Sequence, residues 1–465
     1  MSDEPPKTPV RDHVESLVTA VVLALLIKGF VVDAFRIPTG SMQPTLFGEE
    51  KLDLYDRILV DRVSYLASDP ERFEVIVFKF PLDQSRNFVK RVVGIGPEEL
   101  ELRGGDLFRR ADESEPWSVV RKPAAVQESL LRSMDPVDEA SASFGDLPAG
   151  WSAEGRSVTT SASAGVARFR PELGTLRDHT LDGYPASIAR ALEDRVHTFG
   201  THPIGDLRVA GLVTLGAAPS VFYELVEGPL TYRFEISAEG RALITARGGD
   251  SQKPPLELVS RTCELDPTRP FTFTAQNIDD LLSLGIDGRW VAVAEIEPTL
   301  DQRSEVRLGH PGVPDANAEA PRFVDLSVSR DIYYTADRAT SSRISVPAGH
   351  YYVLGDNTRD SSDSREWRFT RFEIESEGVD GPRIVRGNTR RDENPITLGA
   401  GDPDGPKIRF RDEWGELHWF RQSEGHRLPP EEAPFVPREA IVGRAWAVFW
   451  PWKPDLDLLR LRWIR

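Results

Sequence analysis

A single cysteine, Cys263, in 465 residues rules out an intramolecular disulfide and any cysteine-rich zinc site, and leaves oxidising and reducing compartments equally open. Eight histidines (His13, His179, His197, His202, His310, His350, His418 and His426) are scattered without HExxH or HxH spacing, so neither a catalytic metal nor another cofactor is expected. Basic residues are short as well: 57 Lys and Arg stand against 74 Asp and Glu, a formal net charge of -17. With no basic stripe to neutralise phosphates, nucleic acid is not an expected partner. Internal repeats and long low-complexity tracts are absent, and only one long hydrophobic run occurs.

That run, Ser16 to Val32, reads SLVTAVVLALLIKGFVV, with Lys28 as its one charge. It is slightly shorter than the ~20 apolar residues that span a bilayer, so a transmembrane anchor over 13–33 requires Lys28 to snorkel to an interface. A buried core helix is the alternative; a cleaved signal peptide fits less well, because Asp12 and Glu15 precede the run and no small-x-small pair follows before Pro38. Just beyond lies Arg36-Ile37-Pro38-Thr39-Gly40-Ser41-Met42-Gln43-Pro44-Thr45-Leu46. Pro38 and Pro44 stiffen the backbone on both sides of Ser41, and Gly40 permits close approach of a substrate. Ser41 is thus a candidate nucleophile, although such a cluster by itself also suits an ordinary turn.

The 40% hydrophobic and 28% charged composition is that of globular protein, and the length suits two or three domains. Strand-like runs follow the loop at 56–60, 73–78 and 88–95, rich in β-branched and aromatic residues. Lys90 and Arg91 interrupt the last of these. A strand lysine is either a gatekeeper on an exposed edge or a functional amine. In the second case burial would lower its pKa from ~10.4 toward the ~7–8 useful to a general base.

Residues 109–343 change character, with strand-like runs at 207–209, 221–225, 232–236, 243–246, 271–274 and 290–296 separated by regular turn signals, which suggests a β-sandwich. The stretch from Asn277 to Val291, with its Asp287-Gly288 turn, is faintly similar to lectin-like jelly rolls, implying a glycan or another partner for this insert. Apolar Tyr351-Tyr352-Val353-Leu354 then leads into Gly355-Asp356-Asn357-Thr358-Arg359-Asp360-Ser361-Ser362-Asp363-Ser364-Arg365-Glu366-Trp367, whose density of turn-forming polar groups predicts a hydrogen-bonded loop. A second polar insert covers 371–435. The tail carries Trp446, Trp450, Trp452, Arg460, Arg462 and Arg465, a composition suited to a lipid interface or, for the tryptophans, to a core.

Taken together and in this order, the apolar anchor with IPTGSMQPTL, DRILVDRVSY, FEVIVFKFP, FVKRVVGIG, YYVLGDNTRDSSDSREW and VPREAIVGRAW resemble the type I signal peptidases, membrane-bound serine proteases that remove signal peptides from exported proteins. The resemblance covers about 14–108, 344–367 and 436–453. It implies a mostly β fold divided into a polar tail (1–12), an anchor (13–33), a first core segment (34–108), the inserted β-rich domain (109–343), a second core segment (344–370), the second insert (371–435) and a final core strand with its tail (436–465).

By the same resemblance Ser41 is the nucleophile, Lys90 the general base and Thr39 the oxyanion hydroxyl. Gly355, Asp356 and Asn357 belong to the supporting loop, Ser361 hydrogen-bonds the lysine amine, and Asp363 pairs with Arg365. Ile37 and Met42 neighbour the pockets that accept the small residues of an Ala-x-Ala site. Preprotein signal peptides and membrane lipid are the implied partners, with the catalytic domain outside the cytoplasmic membrane. Three departures stand out: Ile95-Gly96-Pro97-Glu98 replaces the family's usual Leu-Pro-Gly-Asp turn, Thr358 stands where arginine is common, and Arg368 where glycine is expected. A Ser/Lys autoprotease, or a tethered β-sandwich binding protein with a degenerate protease core, are the alternative readings.

Overall fold

The computed structural model describes residues 9–26, 31–136, 141–171, 176–192, 200–249, 253–299, 303–337, 339, 341–375, 381–389, 395–399 and 405–465. The chain is mostly β. It divides into two compact units: Met1–Leu100 with Arg110–Glu115 and Ala336–Arg465, and Glu101–Arg109 with Pro116–Thr335.

Helix α1 spans Pro9–Leu26 in 18 residues. Among the described residues, no helix is long and apolar enough to cross a membrane. The sequence itself accounts for this, since α1 begins four residues before the expected anchor and takes in Arg11, Asp12 and Glu15. The rest of the expected 13–33 segment runs through residues 27–30, outside the described ones. The side chains of Val14, Leu17, Val18, Val21 and Val22 are all exposed.

The first unit is organised on a sheet whose strands are β1 (Val32–Arg36), β2 (Arg57–Asp61), β3 (Val75–Phe80), β4 (Asp83–Ile95), β5 (His350–Leu354), β6 (Phe435–Pro437), β7 (Ile441–Trp450) and β8 (Arg462–Trp463). Their order is β1-β2-β7-β3-β4-β5-β6, with β8 paired to β7. In β3 the residues Val75, Ile76, Val77 and Phe78 are all buried: Val75 and Val77 join one core cluster, Ile76 and Phe78 another. A sheet covered on both faces needs no polar alternation, which is why this strand reads as a continuous apolar run. One of these clusters contains Ile37, Met42 and Leu46, so the loop around Ser41 is itself packed onto the sheet. The second insert adds two three-stranded sheets closed around Phe372, Val385, Ile408, Phe410 and Phe420.

The second unit is a sandwich of an eight-stranded and a seven-stranded antiparallel sheet. Alternate residues of facing strands fill one core, as Val209 and Phe273 from one sheet meet Tyr223 and Phe234 from the other, with the Tyr223 and Phe273 rings stacked at 4.4 Å. The strand-like runs of this segment fall on its strands, the last overrunning Arg289–Glu295 by one residue. Asp287 (φ 48) and Gly288 (φ 76) form the left-handed turn between Leu281–Ile286 and Arg289–Glu295, the conformation that a two-residue hairpin needs.

Candidate active site

Ser41 sits in the single 3-10 turn Gly40–Met42, and Lys90 lies near the middle of β4, in register with Ile76 of β3. The two are 49 residues apart in sequence, yet Lys90 Nζ donates to Ser41 Oγ at 2.7 Å and to its neighbour's carbonyl, Val89 O, at 3.0 Å. Lys90 is only 3% exposed, so it is not a gatekeeper on an open edge. Thr39 precedes the turn in extended conformation (φ -130, ψ 157) with an exposed side chain.

The loop after β5 fastens Ser41 from behind. Asn357 N donates to Ser41 O at 3.2 Å and Asn357 Nδ2 to Gly40 O at 3.1 Å. Gly355 makes this approach feasible: a Cβ there would stand 2.1 Å from Ser361 Oγ and 2.3 Å from Ser41 O. Gly355 N donates to Asp363 Oδ2 at 3.1 Å, and Arg365 grips both oxygens of that carboxylate at 2.8 and 2.7 Å. Burial would raise the Asp363 pKa, but the Arg365 guanidinium outweighs it and holds the carboxyl below its usual range.

Most residues expected at the site therefore gather here, with two differences. Ser361 Oγ makes no hydrogen bond, so the expected bond to the lysine amine is not formed; the hydroxyl is fully buried against Gly355 instead. Ile37 (3% exposed) and Met42 (1%) are packed into the core beneath the loop rather than lining its open side. In the tail, Trp446, Trp450 and Trp452 are exposed, whereas Arg460 is 5% exposed and turned inward onto Asp56, so it does not face a lipid surface.

Three further residues hold the site without having been singled out for it in the sequence. Gly48 packs so closely on Thr39 that a Cβ would lie 2.4 Å from Thr39 N, and it is an isolated glycine with no motif around it. Arg91 is fully buried and bidentate to Asp356 at 2.8 and 2.7 Å, and its only sequence signal was a charge inside a β-branched run. Asp56 accepts from Phe47 N at 2.9 Å and so closes the end of the nucleophile loop.

Among the described residues, two groups bring ligand-type atoms within 4.8 Å of one another: Asp412, Glu416 and His418, and separately Asp106, Asp206 and Asp279. Neither contains a member of the Ser41/Lys90 pair. No spacing in the sequence announced the second group, because its members come from three separate segments. Lys122 bonds Asp279 and Asp331, each at 2.6 Å, within the same unit. Burial, reinforced by the neighbouring carboxylates, raises Asp106 and Asp206 well above the usual range.

The family model "Signal peptidase, peptidase S26" matches residues 10–137 and 284–379, which include both members of the pair and the Gly355–Arg365 loop. These segments are similar to the signal peptidase family. Among relatives, a probable signal peptidase I-2 of Synechocystis is 35% identical over 112 residues, covering 23% of this chain and 48% of that protein. Signal peptidase I of Pseudomonas fluorescens is 35% identical over 96 residues (18% and 32%), and that of Bacillus amyloliquefaciens 28% over 130 residues (28% and 65%). The chain thus spans 32% to 65% of the length of these signal peptidases.

Solved structures similar to part of the chain include the carbohydrate recognition domain of Emp47p (TM-score 0.28, 10% identity, 43% of this chain and 95% of that one). A galectin of Caenorhabditis elegans matches with TM-score 0.21 and 14% identity, over 27% and 83%. At these scores the likeness bears on neither a ligand nor a partner for this chain.

Proposed function

We propose that this protein is a membrane-anchored serine endopeptidase that removes signal peptides from exported preproteins after Ala-x-Ala, using Ser41 as nucleophile and Lys90 as general base. The observation that carries the reading is the 2.7 Å contact between Nζ of the buried Lys90 and Ser41 Oγ. With the amine neutral, the same contact runs in reverse: Oγ–H donates to Nζ, and Lys90 takes the proton as Oγ attacks the scissile carbonyl. Lys90 then passes that proton to the leaving amine, and water hydrolyses the acyl-enzyme. No histidine takes part.

The developing oxyanion would be met by the Ser41 N–H and the Thr39 hydroxyl, at about 3 kcal/mol per donor in comparable sites. Asn357 fixes the Gly40 and Ser41 carbonyls, so the N–H groups of the turn are already oriented before substrate arrives. Strand β1 is the terminal strand of its sheet and leads directly into the nucleophile loop, so an extended substrate can add to that edge.

Membrane attachment rests on the apolar run at 16–32, with its exposed valines and leucine in α1, and on the exposed Trp446, Trp450, Trp452 and Trp463. By analogy with the family, the catalytic domain lies on the extracytoplasmic side. The test is cleavage of a preprotein bearing an Ala-x-Ala site by the full-length protein in detergent or lipid. A single cut after that site supports the reading, and no cut rejects it.

A further inference from the structure

We infer that Arg460 and Arg462 are positioning residues for the Ser41/Lys90 pair, and that residues 458–465 act as a strap holding the nucleophile loop and the base strand in one register. This inference rests on the functional reading above.

The strap is anchored independently of the site. Ile464 is buried in the same core cluster as Ile37, Met42 and Leu46, Ile464 N donates to Trp446 O at 2.9 Å, and Trp463 is in register with Ala447 of β7. From that base it reaches the nucleophile loop through two guanidinium groups. Arg460 Nε and Nη2 donate to the two oxygens of Asp56 at 2.7 and 2.9 Å, and Nη2 also donates to Thr45 O at 3.1 Å. Arg462 Nη2 donates to the same Thr45 carbonyl at 2.6 Å. Thr45 stands four residues beyond Ser41, in a loop closed by Leu46 N donating to Met42 O at 2.8 Å. Asp56 in turn accepts from Phe47 N, so the two arginines and one carboxylate hold both ends of segment 45–47.

The other end of the strap reaches the base. The Arg465 carbonyl accepts from Arg91 Nη1 at 2.8 Å. Arg91 is the residue next to Lys90, and its remaining donors hold Asp356 and Phe73 O. One short segment thus bonds to the loop carrying Oγ and to the strand carrying Nζ. Charge-assisted bonds of this kind are short and directional, so they limit relative sliding of the two elements better than neutral contacts do. Proton transfer from Oγ to Nζ is sensitive to displacements well under 1 Å, whereas binding of an extended peptide along a strand edge is not. The strap should therefore act on turnover rather than on substrate affinity.

Full-length Arg462→Gln, Arg460→Lys and Arg460→Met test this through cleavage kinetics, thermal unfolding and amide hydrogen exchange over 42–47 and 88–92. For Arg462→Gln we expect kcat to fall about tenfold with KM within about twofold, faster exchange in both segments together, and an unchanged unfolding midpoint. Arg460→Lys, which keeps a cation beside Asp56 but loses the two-pronged guanidinium geometry, should lose about tenfold, between the wild type and Arg460→Met, which loses about a hundredfold. Unchanged kcat and unchanged exchange at 88–92 in Arg462→Gln would overturn the inference, as would losses that merely track a lowered unfolding midpoint. If the wild type cleaves nothing, the functional reading fails, yet joint or separate exchange of the two segments still decides whether the strap couples them.

Discussion

Arg91 and Asp356, whose side chains are both fully buried, face each other in a two-bond ion pair that ties the strand of Lys90 to the loop behind Ser41. Each lies directly beside a residue of the site: Arg91 follows Lys90, and Asp356 precedes Asn357, whose amides hold the Ser41 and Gly40 carbonyls. Removing one partner leaves an uncompensated charge in a dry interior, a loss of about 3–5 kcal/mol in comparable pairs.

Asp356→Ala and Arg91→Met should each lower the chemical-unfolding free energy by about that amount, and the double variant should lose less than the sum of the two. Denaturant titration of the four proteins closes the cycle; strictly additive losses would show that the pair does not act as a unit.

Gly355→Ala places a methyl group 2.3 Å from Ser41 O, a backbone atom that must then move. Activity should drop by about a hundredfold, since a displacement near 1 Å is enough for that. Gly248→Ala is the control, because nothing lies within 4 Å of the added carbon. Removing the Ser361 hydroxyl in the Gly355→Ala background should restore little, as the contact with Ser41 O persists. Full recovery would mean that Ser361, not the nucleophile backbone, was the obstacle.

Asp280 and Asp363 should answer acid in opposite senses. Burial, then the charge of Asp279, pushes Asp280 up to about 6, above its ordinary 3.8. A raised folded-state value means that its stabilising contribution is complete below about 4 and is lost as pH climbs to about 6. Asp363, held below 3.8, works the other way: its contribution is present above the unfolded value and disappears as pH falls through the folded one. Carboxyl NMR on the intact protein should find Asp280 titrating near 6 and Asp363 still ionised when free aspartate is half protonated. Both carboxyls titrating near 3.8 would contradict this assignment.

How far the sequence reached depended on whether a residue's job was local. Ser41, Lys90, Asp363 and Arg365 lie in motifs whose types and order carry the chemistry, and the β-branched runs around them read directly as strands. Arg460 and Asp56 could not be paired from sequence, because 404 positions separate them and neither belongs to a pattern. Arg460 had the composition of a lipid-facing tail residue, and only the backbone of the nucleophile loop gives it an inward partner. Ser361 shows the converse: its motif implied a bond to Lys90, but packing against Gly355 leaves its hydroxyl without one. The apolar run read clearly as hydrophobic, while its limits did not, since α1 starts among charged residues that hydrophobicity alone excluded.

Whether Ser41 and Lys90 together cut a signal peptide is decided by incubating a preprotein with an Ala-x-Ala site with the wild type, Ser41→Ala and Lys90→Ala. The wild type should give one cleavage product and either variant should lose at least about a thousandfold, with unfolding midpoints showing that both still fold. Equal cleavage by all three proteins would contradict that joint role.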